Sequence, residues 1–204
     1  MFVSAQKQFA WTATINRILI RRNDMLKKSV LPMIVAASLV VAPVTVLAAS
    51  ATTTIAVSAS VTQNCTISTT SALAFVAYDP IGANATAALN ATGQVSVACS
   101  KGATGLTIGI DNGAHVAGAQ RQMLGGVAAG MLQYNLFQPP NNTPGTPCTF
   151  PGTTAWTNTG TGLFTLSSAT TKTARVYNVC GTVPGGQDVA ADSYTDTVST
   201  TINF

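Results

Sequence analysis

The chain has 204 residues and a formal net charge of +4, yet six of its ten basic residues (Lys7, Arg17, Arg21, Arg22, Lys27 and Lys28) precede residue 29. Beyond residue 48 only Lys101, Arg121, Lys172 and Arg175 stand against Asp79, Asp111, Asp188, Asp192 and Asp196. That near-neutral body holds no basic patch for nucleic acid, no Glu, and a Thr-, Ala-, Gly-, Val- and Ser-rich composition that favours strands and turns over helices, within the size of one domain.

Residues 1–24 read as neither a targeting segment nor a domain; they are expected to be a start-site extension, with a long n-region as the alternative. Residues 25–48 have the form of a signal peptide: Met25, then Lys27 and Lys28, an apolar run over 30–47 broken by Pro32 and Pro43, and Val46-Leu47-Ala48 as the exit. Cleavage is expected after Ala48. A membrane-spanning helix competes because the run is nearly long enough; the two prolines and the small-residue exit oppose it.

Residues 49–62 precede the first cysteine. Within them 54–61 alternates Ile55, Val57, Ala59 and Val61 with Thr54, Ala56, Ser58 and Ser60, with no charge and no proline. That pattern suits a strand inserted into an apolar groove. Further strands are predicted at 65–68, 73–78 (closed by Asp79-Pro80), 94–99, 105–110 (ended by Asp111-Asn112-Gly113), 121–124 and 132–137. Residues 141–161, rich in Asn, Thr, Pro and Gly, should form a long surface loop tacked down by Cys148. Strands at 163–166 and 175–179 follow, then a turn at Val183-Pro184-Gly185-Gly186. Short strands at this spacing predict an all-β, immunoglobulin-like β-sandwich with Greek-key connections.

The final segment, 193–204, places Tyr194, Asp196, Val198, Thr200, Ile202 and Phe204 on one face and Ser193, Thr195, Thr197, Ser199, Thr201 and Asn203 on the other. This is a half-buried antiparallel strand, and no successor to it is written in the sequence. Val198, Ile202 and Phe204 are therefore expected along the edge of a groove that another strand must fill, since a bare apolar edge invites aggregation. A gap at one end and a filler (Ile55, Val57, Ala59, Val61) at the other predict a head-to-tail assembly by strand addition.

Four cysteines in an exported chain predict two disulfides. Sequential pairing, Cys65 with Cys99 and Cys148 with Cys180, closes loops of similar size; nested and crossed pairings stay open. Without a C-x-x-C, and with His115 as the single histidine, a metal site is disfavoured. His115 reads as a solvated loop residue. Asp192 and Asp196 share a strand face and read as solvated or capping groups. Neither arrangement supports catalysis, so no enzyme, cofactor or catalytic residue is expected. Tyr134, Phe137, Phe150, Trp156 and Phe164 read as buried aromatics, with a sticky patch on the long loop as the alternative.

Several stretches then resemble, in order, the spore coat protein U family, which includes the subunits of archaic chaperone–usher pili. They are Asn64-Cys65-Thr66-Ile67, Leu73-Ala74-Phe75 with Tyr78, Gly93-Gln94-Val95-Ser96-Val97-Ala98-Cys99, and Gly105-Leu106-Thr107-Ile108. Arg121-Gln122-Met123-Leu124, Leu132-Gln133-Tyr134-Asn135-Leu136-Phe137, Gly181 to Gln187, and Ser193-Tyr194-Thr195-Asp196-Thr197-Val198 complete the set. The resemblance implies an incomplete immunoglobulin-like fold over 63–204 lacking its final strand, with Cys65 paired to Cys99 and 54–61 as the donor strand. It implies a periplasmic chaperone, an outer-membrane usher and neighbouring pilin subunits as partners, export through the periplasm, and a surface pilus serving adhesion or biofilm. Two departures stand out: Ala191-Asp192 where a glycine usually precedes the Ser-Tyr step, and the extra Cys148 and Cys180 around a longer loop, which suggest a specialised subunit. A self-closed secreted β-sandwich binding module, with 54–61 folded back on its own chain, and a spore or cyst coat component are the alternatives.

Overall fold

The computed structural model describes residues 48–204; the expectations for residues 1–24 and for the signal segment up to residue 47 lie outside the described residues. The chain divides into the units Met1–Ile55 and Ala56–Phe204, and the fold below is that of the second. It is all-β, with one 3₁₀ turn at Gly160–Gly162. The strands are β1 (Cys65–Ser71), β2 (Leu89–Cys99), β3 (Thr107–Ile110), β4 (Val116–Ala117), β5 (Gln120–Gly125), β6 (Met131–Phe137), β7 (Phe164–Thr165), β8 (Arg175–Val183), β9 (Tyr194–Thr195) and β10 (Thr200–Asn203).

Two antiparallel sheets face each other. The larger runs β1-β2-β8-β6-β5-β4, with β9 also on β5; the smaller runs β10-β3-β7. Strand β8 lies centrally and is buried from Tyr177 to Gly181, which explains why its sequence shows no clean polar alternation. In β2 the inward residues Val95, Val97 and Cys99 alternate with half-exposed ones, the pattern of a strand with one wet face. The core between the sheets gathers these side chains with Leu106, Ile108, Ile110, Leu132, Leu136, Tyr177 and Val179.

Trp156 corrects the expectation of a wholly superficial 141–161 loop. It is fully buried, its Nε1 donates to the Ile108 carbonyl (3.0 Å), and its ring lies 5.0 Å from that of Phe164. The loop dips inward because its main chain pairs with β6: Trp156 N donates to Leu136 O and Gln138 N to Thr154 O. Tyr134 and Phe164 are buried as well, Phe137 is half-buried and Phe150 stays 37 % exposed, so three of the five aromatics form core. Cys65 is joined to Cys99 across the β1–β2 ladder, and Cys148 to Cys180, fastening the loop to β8.

Two predicted strands are absent as ladder strands. Residues 54–61 form no strand, and Ile55, Val57 and Val61 are 84, 91 and 90 % exposed. Residues 72–79 belong to no strand either, although Leu73, Phe75 and Tyr78 turn inward. An extended segment forms a strand only when its main chain finds a partner, and among the described residues neither of these pairs in a ladder. The predicted strand at 193–204 is present but split. Its β9 portion pairs with β5 in the larger sheet and its β10 portion with β3 in the smaller, so the segment crosses from one sheet to the other.

Candidate functional site

Between the segment 72–78, which joins no ladder, and the crossing segment 189–200 lies a groove of about 1120 Å³. Its floor is apolar, set by Val95, Leu132, Leu136, Val179 and Val183. The two walls run antiparallel to each other: Tyr78 bonds to Gln187 at one end, and Thr69 lies by Val198 and Thr200 at the other. At that second end β10 approaches β1 and the groove narrows to a seam lined by Ile67, Thr69, Val198 and Thr200.

The wall at 189–200 keeps the period-two pattern of its sequence. Asp192, Tyr194, Asp196, Val198, Thr200 and Ile202 are half-buried, and the residues between them are exposed. Its main chain on the side away from the groove bonds to neighbouring segments. Gly126 N donates to Ser193 O, Ala114 N to Thr197 O and Asp111 N to Ser199 O, between the β5–β9 and β3–β10 ladders. The other edge looks into the groove.

Three carboxylates hold this wall. Asp192 accepts from the main-chain N–H groups of Val127 (2.7 Å) and Ala128 (2.8 Å), and those bonds hold its carboxyl below the usual carboxylate range. Asp111 accepts from Ser199 N and Gly113 N, at 2.9 and 3.0 Å. Asp196, whose side chain is only 3 % exposed, accepts from the N–H groups of Ala114 and His115, from the Tyr134 hydroxyl (2.6 Å), and lies 3.0 Å from His115 Nδ1. Burial pushes the Asp196 carboxyl up, but the bonds from Tyr134 and His115 prevail and hold it below its ordinary value. Burial, then the Asp196 bond, pushes the Tyr134 hydroxyl far up, so it stays a donor. Beneath them the buried Arg121 donates to the carbonyls of Ile110, Asp111 and Trp156; desolvation lowers its pKa without threatening its charge.

His115 is thus half-exposed and tied to Asp196 where its sequence context suggested a solvated loop residue, and the bonds that Asp196 accepts account for its place on a mostly apolar strand face. The capping part of the expectation for Asp192 and Asp196 is met; the solvated part fails for Asp196. Sequence distance hid the cluster, because His115 and Asp196 are 81 positions apart.

The opposite wall is built differently. Leu73 rests against Gly93, and Leu73 and Phe75 rest against Gly181, where a Cβ would come within 2.9 Å or less of them. Among the described residues, polar groups tie its far end: the Tyr78 hydroxyl donates to Pro184 O (3.0 Å) and accepts from Gln187 N (2.9 Å). Asp79 closes the adjoining turn by accepting from Gly82 N and Ile81 N.

Of the residues expected on the groove edge, Val198 lines it. Ile202 pairs with Ile108 within the β3–β10 ladder beyond the lining, and Phe204 lies past β10, 53 % exposed. The groove also reaches back to Val189, which lies between the predicted turn at 183–186 and the predicted terminal strand. Among the described residues no group of three His, Cys, Asp or Glu is placed to hold a metal ion, and no helix is long and apolar enough to cross a membrane.

Fold and site together define an antiparallel β-sandwich with a strand-sized apolar groove between two edges that do not pair with each other. A model of the Spore Coat Protein U domain matches residues 51–201, and the chain belongs to that family. Among solved structures it is similar to the crystal structure of the CsuC–CsuE chaperone–tip adhesion subunit pre-assembly complex from archaic chaperone–usher Csu pili of Acinetobacter baumannii, at 19% identity and a TM-score of 0.46. That match covers 71% of this chain and 40% of the other. No curated protein matches.

Proposed function

We propose that the chain is a structural subunit of a secreted surface fibre of the archaic chaperone–usher kind, polymerising by donor-strand complementation. The observation that carries this reading is the apolar groove, whose 189–200 wall offers a free main-chain edge beside buried Val95, Leu132 and Val179. Strand addition takes its affinity from such an edge and its register from alternate side-chain pockets. The occupant is the 54–61 segment of a second copy. In its own chain that segment leaves Val57 and Val61 about nine-tenths exposed, so it does not fill its own groove.

Ile55, Val57, Ala59 and Val61 then enter the groove, and burying three branched side chains favours insertion by roughly 1.5–3 kcal/mol each. A head-to-tail contact of this kind propagates instead of closing. A periplasmic chaperone protects the groove before assembly, an outer-membrane usher exchanges the chaperone's strand for a neighbour's, and the finished fibre serves adhesion or biofilm. Residues 25–48 supply export and 49–62 the donor.

Deletion of residues 49–62 with the signal segment intact tests this. The expected product is a monomer that still takes up a synthetic 49–61 peptide but forms no ladder on an unheated, non-reducing gel. An unchanged ladder rejects the reading.

A further inference from the structure

The exposed 54–61 segment does not leave the domain through a free linker. Its next three residues are fixed to the turn that follows β2. The Gln63 carboxamide meets Thr104 twice: Nε2 donates to the Thr104 carbonyl (3.1 Å), and Thr104 N donates to Oε1 (3.3 Å). Ser100 N donates to Asn64 O (2.8 Å), Asn64 N donates to Ser100 Oγ (3.1 Å), and that hydroxyl lies 3.3 Å from Thr62 O. The following residue, Cys65, is disulfide-bonded to Cys99.

The receiving turn is itself held. Gly102 N donates to Ala169 O and Ala169 N to Ala103 O, and Ala103 and Ala169 are buried at 2 and 1 % exposure. Gly102 and Gly105, at φ +85° and +70°, give the turn a shape that side-chain-bearing residues rarely adopt. A carboxamide bonded to both the N–H and the carbonyl of one residue imitates a strand neighbour, and two bonds resist rotation where one would act as a swivel.

We infer that Gln63 is the positioning residue of an inter-subunit joint, setting the direction in which 54–61 leaves its own domain and hence the angle to the second copy that receives it. This rests on the fibre reading above. Val61 is the last residue to enter the neighbour's groove and Thr62 the first next to its own domain, so the two bodies are separated by one peptide step, about 3.8 Å between Cα atoms. They must abut, and the abutting surface on the donor's side is the 62–64 segment with the 100–104 turn.

Two variants separate angle from affinity. Gln63→Ala removes the clamp. Insertion of Gly-Ser-Gly between Val61 and Thr62 keeps every bond of Gln63 and adds slack. Fibres of wild type and both variants are imaged by electron microscopy for persistence length, beside thermal melting of each full chain and affinity for a synthetic 49–61 peptide. Both variants should bend more, with a persistence length about twofold shorter or less, as a flexible spacer replaces a fixed one. Melting and peptide affinity should match wild type, because the groove is untouched. Wild-type stiffness in both variants overturns the joint while leaving the fibre reading intact. If Gln63→Ala forms no fibre, the insertion variant decides: a looser fibre supports the joint and an unchanged one rejects it. A wild-type chain that forms no fibre and ignores the peptide overturns the fibre reading and this inference with it.

Discussion

The two walls of the groove have nearly the same length and opposite construction. Along 192–199 the main chain bonds outward to neighbouring strands and turns, and Asp111, Asp192 and Asp196 rivet the segment to the 113–115 turn, the 126–128 hairpin and Tyr134 of β6. Along 72–78 no ladder forms, and the segment is kept in place by Leu73 and Phe75 lying on Gly93 and Gly181, with Tyr78 as a polar anchor. A site that accepts a strand benefits from this inequality. The fixed wall presents its main-chain edge in register before any partner arrives, and the loose wall can adjust to the side chains that enter. Local stability is expected to differ accordingly, so amides of 73–78 should exchange with solvent well before those of 194–202.

The largest test of this contrast removes one rivet. Asp196→Ala leaves the Tyr134 hydroxyl and the His115 N–H without their acceptor, leaves the Ala114 N–H with Thr197 O alone, and takes a carboxylate away from buried Arg121. Buried groups orphaned in this way cost about 3 kcal/mol, read as a shift of the denaturation midpoint. Leu73→Ala on the loose wall deletes a half-buried side chain that the segment can relax around, and about 1–2 kcal/mol is expected. Equal losses for the two variants would remove the distinction between the walls.

Acid should act on the same wall. The carboxyls of Asp196 and Asp192 are both held below their unfolded value, so their contribution is complete above about pH 4 and fades as the pH falls through the lower, folded value. Asp79 shifts in the same direction but secures only its own turn at the end of the loose wall. Melting temperatures at neutral pH and near pH 3 are expected to diverge for wild type and to converge for Asp196→Asn, which keeps the shape and discards the charge. An equally steep acid response in that variant would place the sensitivity elsewhere.

How much of this could be read beforehand follows the same division. The fixed wall was visible because its period of two survives in the burial of Asp192 to Ile202. The all-β class was equally accessible. The loose wall was misjudged in kind: Leu73, Phe75 and Tyr78 carry a strand's pattern, but pairing depends on a partner, which a local pattern does not encode. Trp156 and the Asp196 cluster were hidden by long-range geometry. A loop rich in Asn, Thr and Pro gives no sign that one residue in it fills the core, and His115 meets Asp196 only once β9 is laid beside β5.

The smallest effects come from adding one methyl group to a glycine beside each wall. Gly113 lies at φ +86°, and a Cβ there would collide with the Asp196 carboxylate, which four bonds hold in place. Gly113→Ala therefore strains the backbone and disturbs the rivet together, and a loss of about 1–2 kcal/mol of subunit stability is expected. Gly181→Ala places its Cβ 2.7 Å from the Leu73 methyl groups and 2.9 Å from the Phe75 ring. These are the free ends of side chains on an unpaired segment, so they can move into the groove at a cost of about 1 kcal/mol. The displaced atoms would then occupy space that an inserted strand needs. Titration of each variant with the 49–61 peptide should accordingly show Gly181→Ala losing more affinity than its small change in melting implies. Gly113→Ala should lose stability first, and peptide binding only to the extent that its fixed wall has shifted.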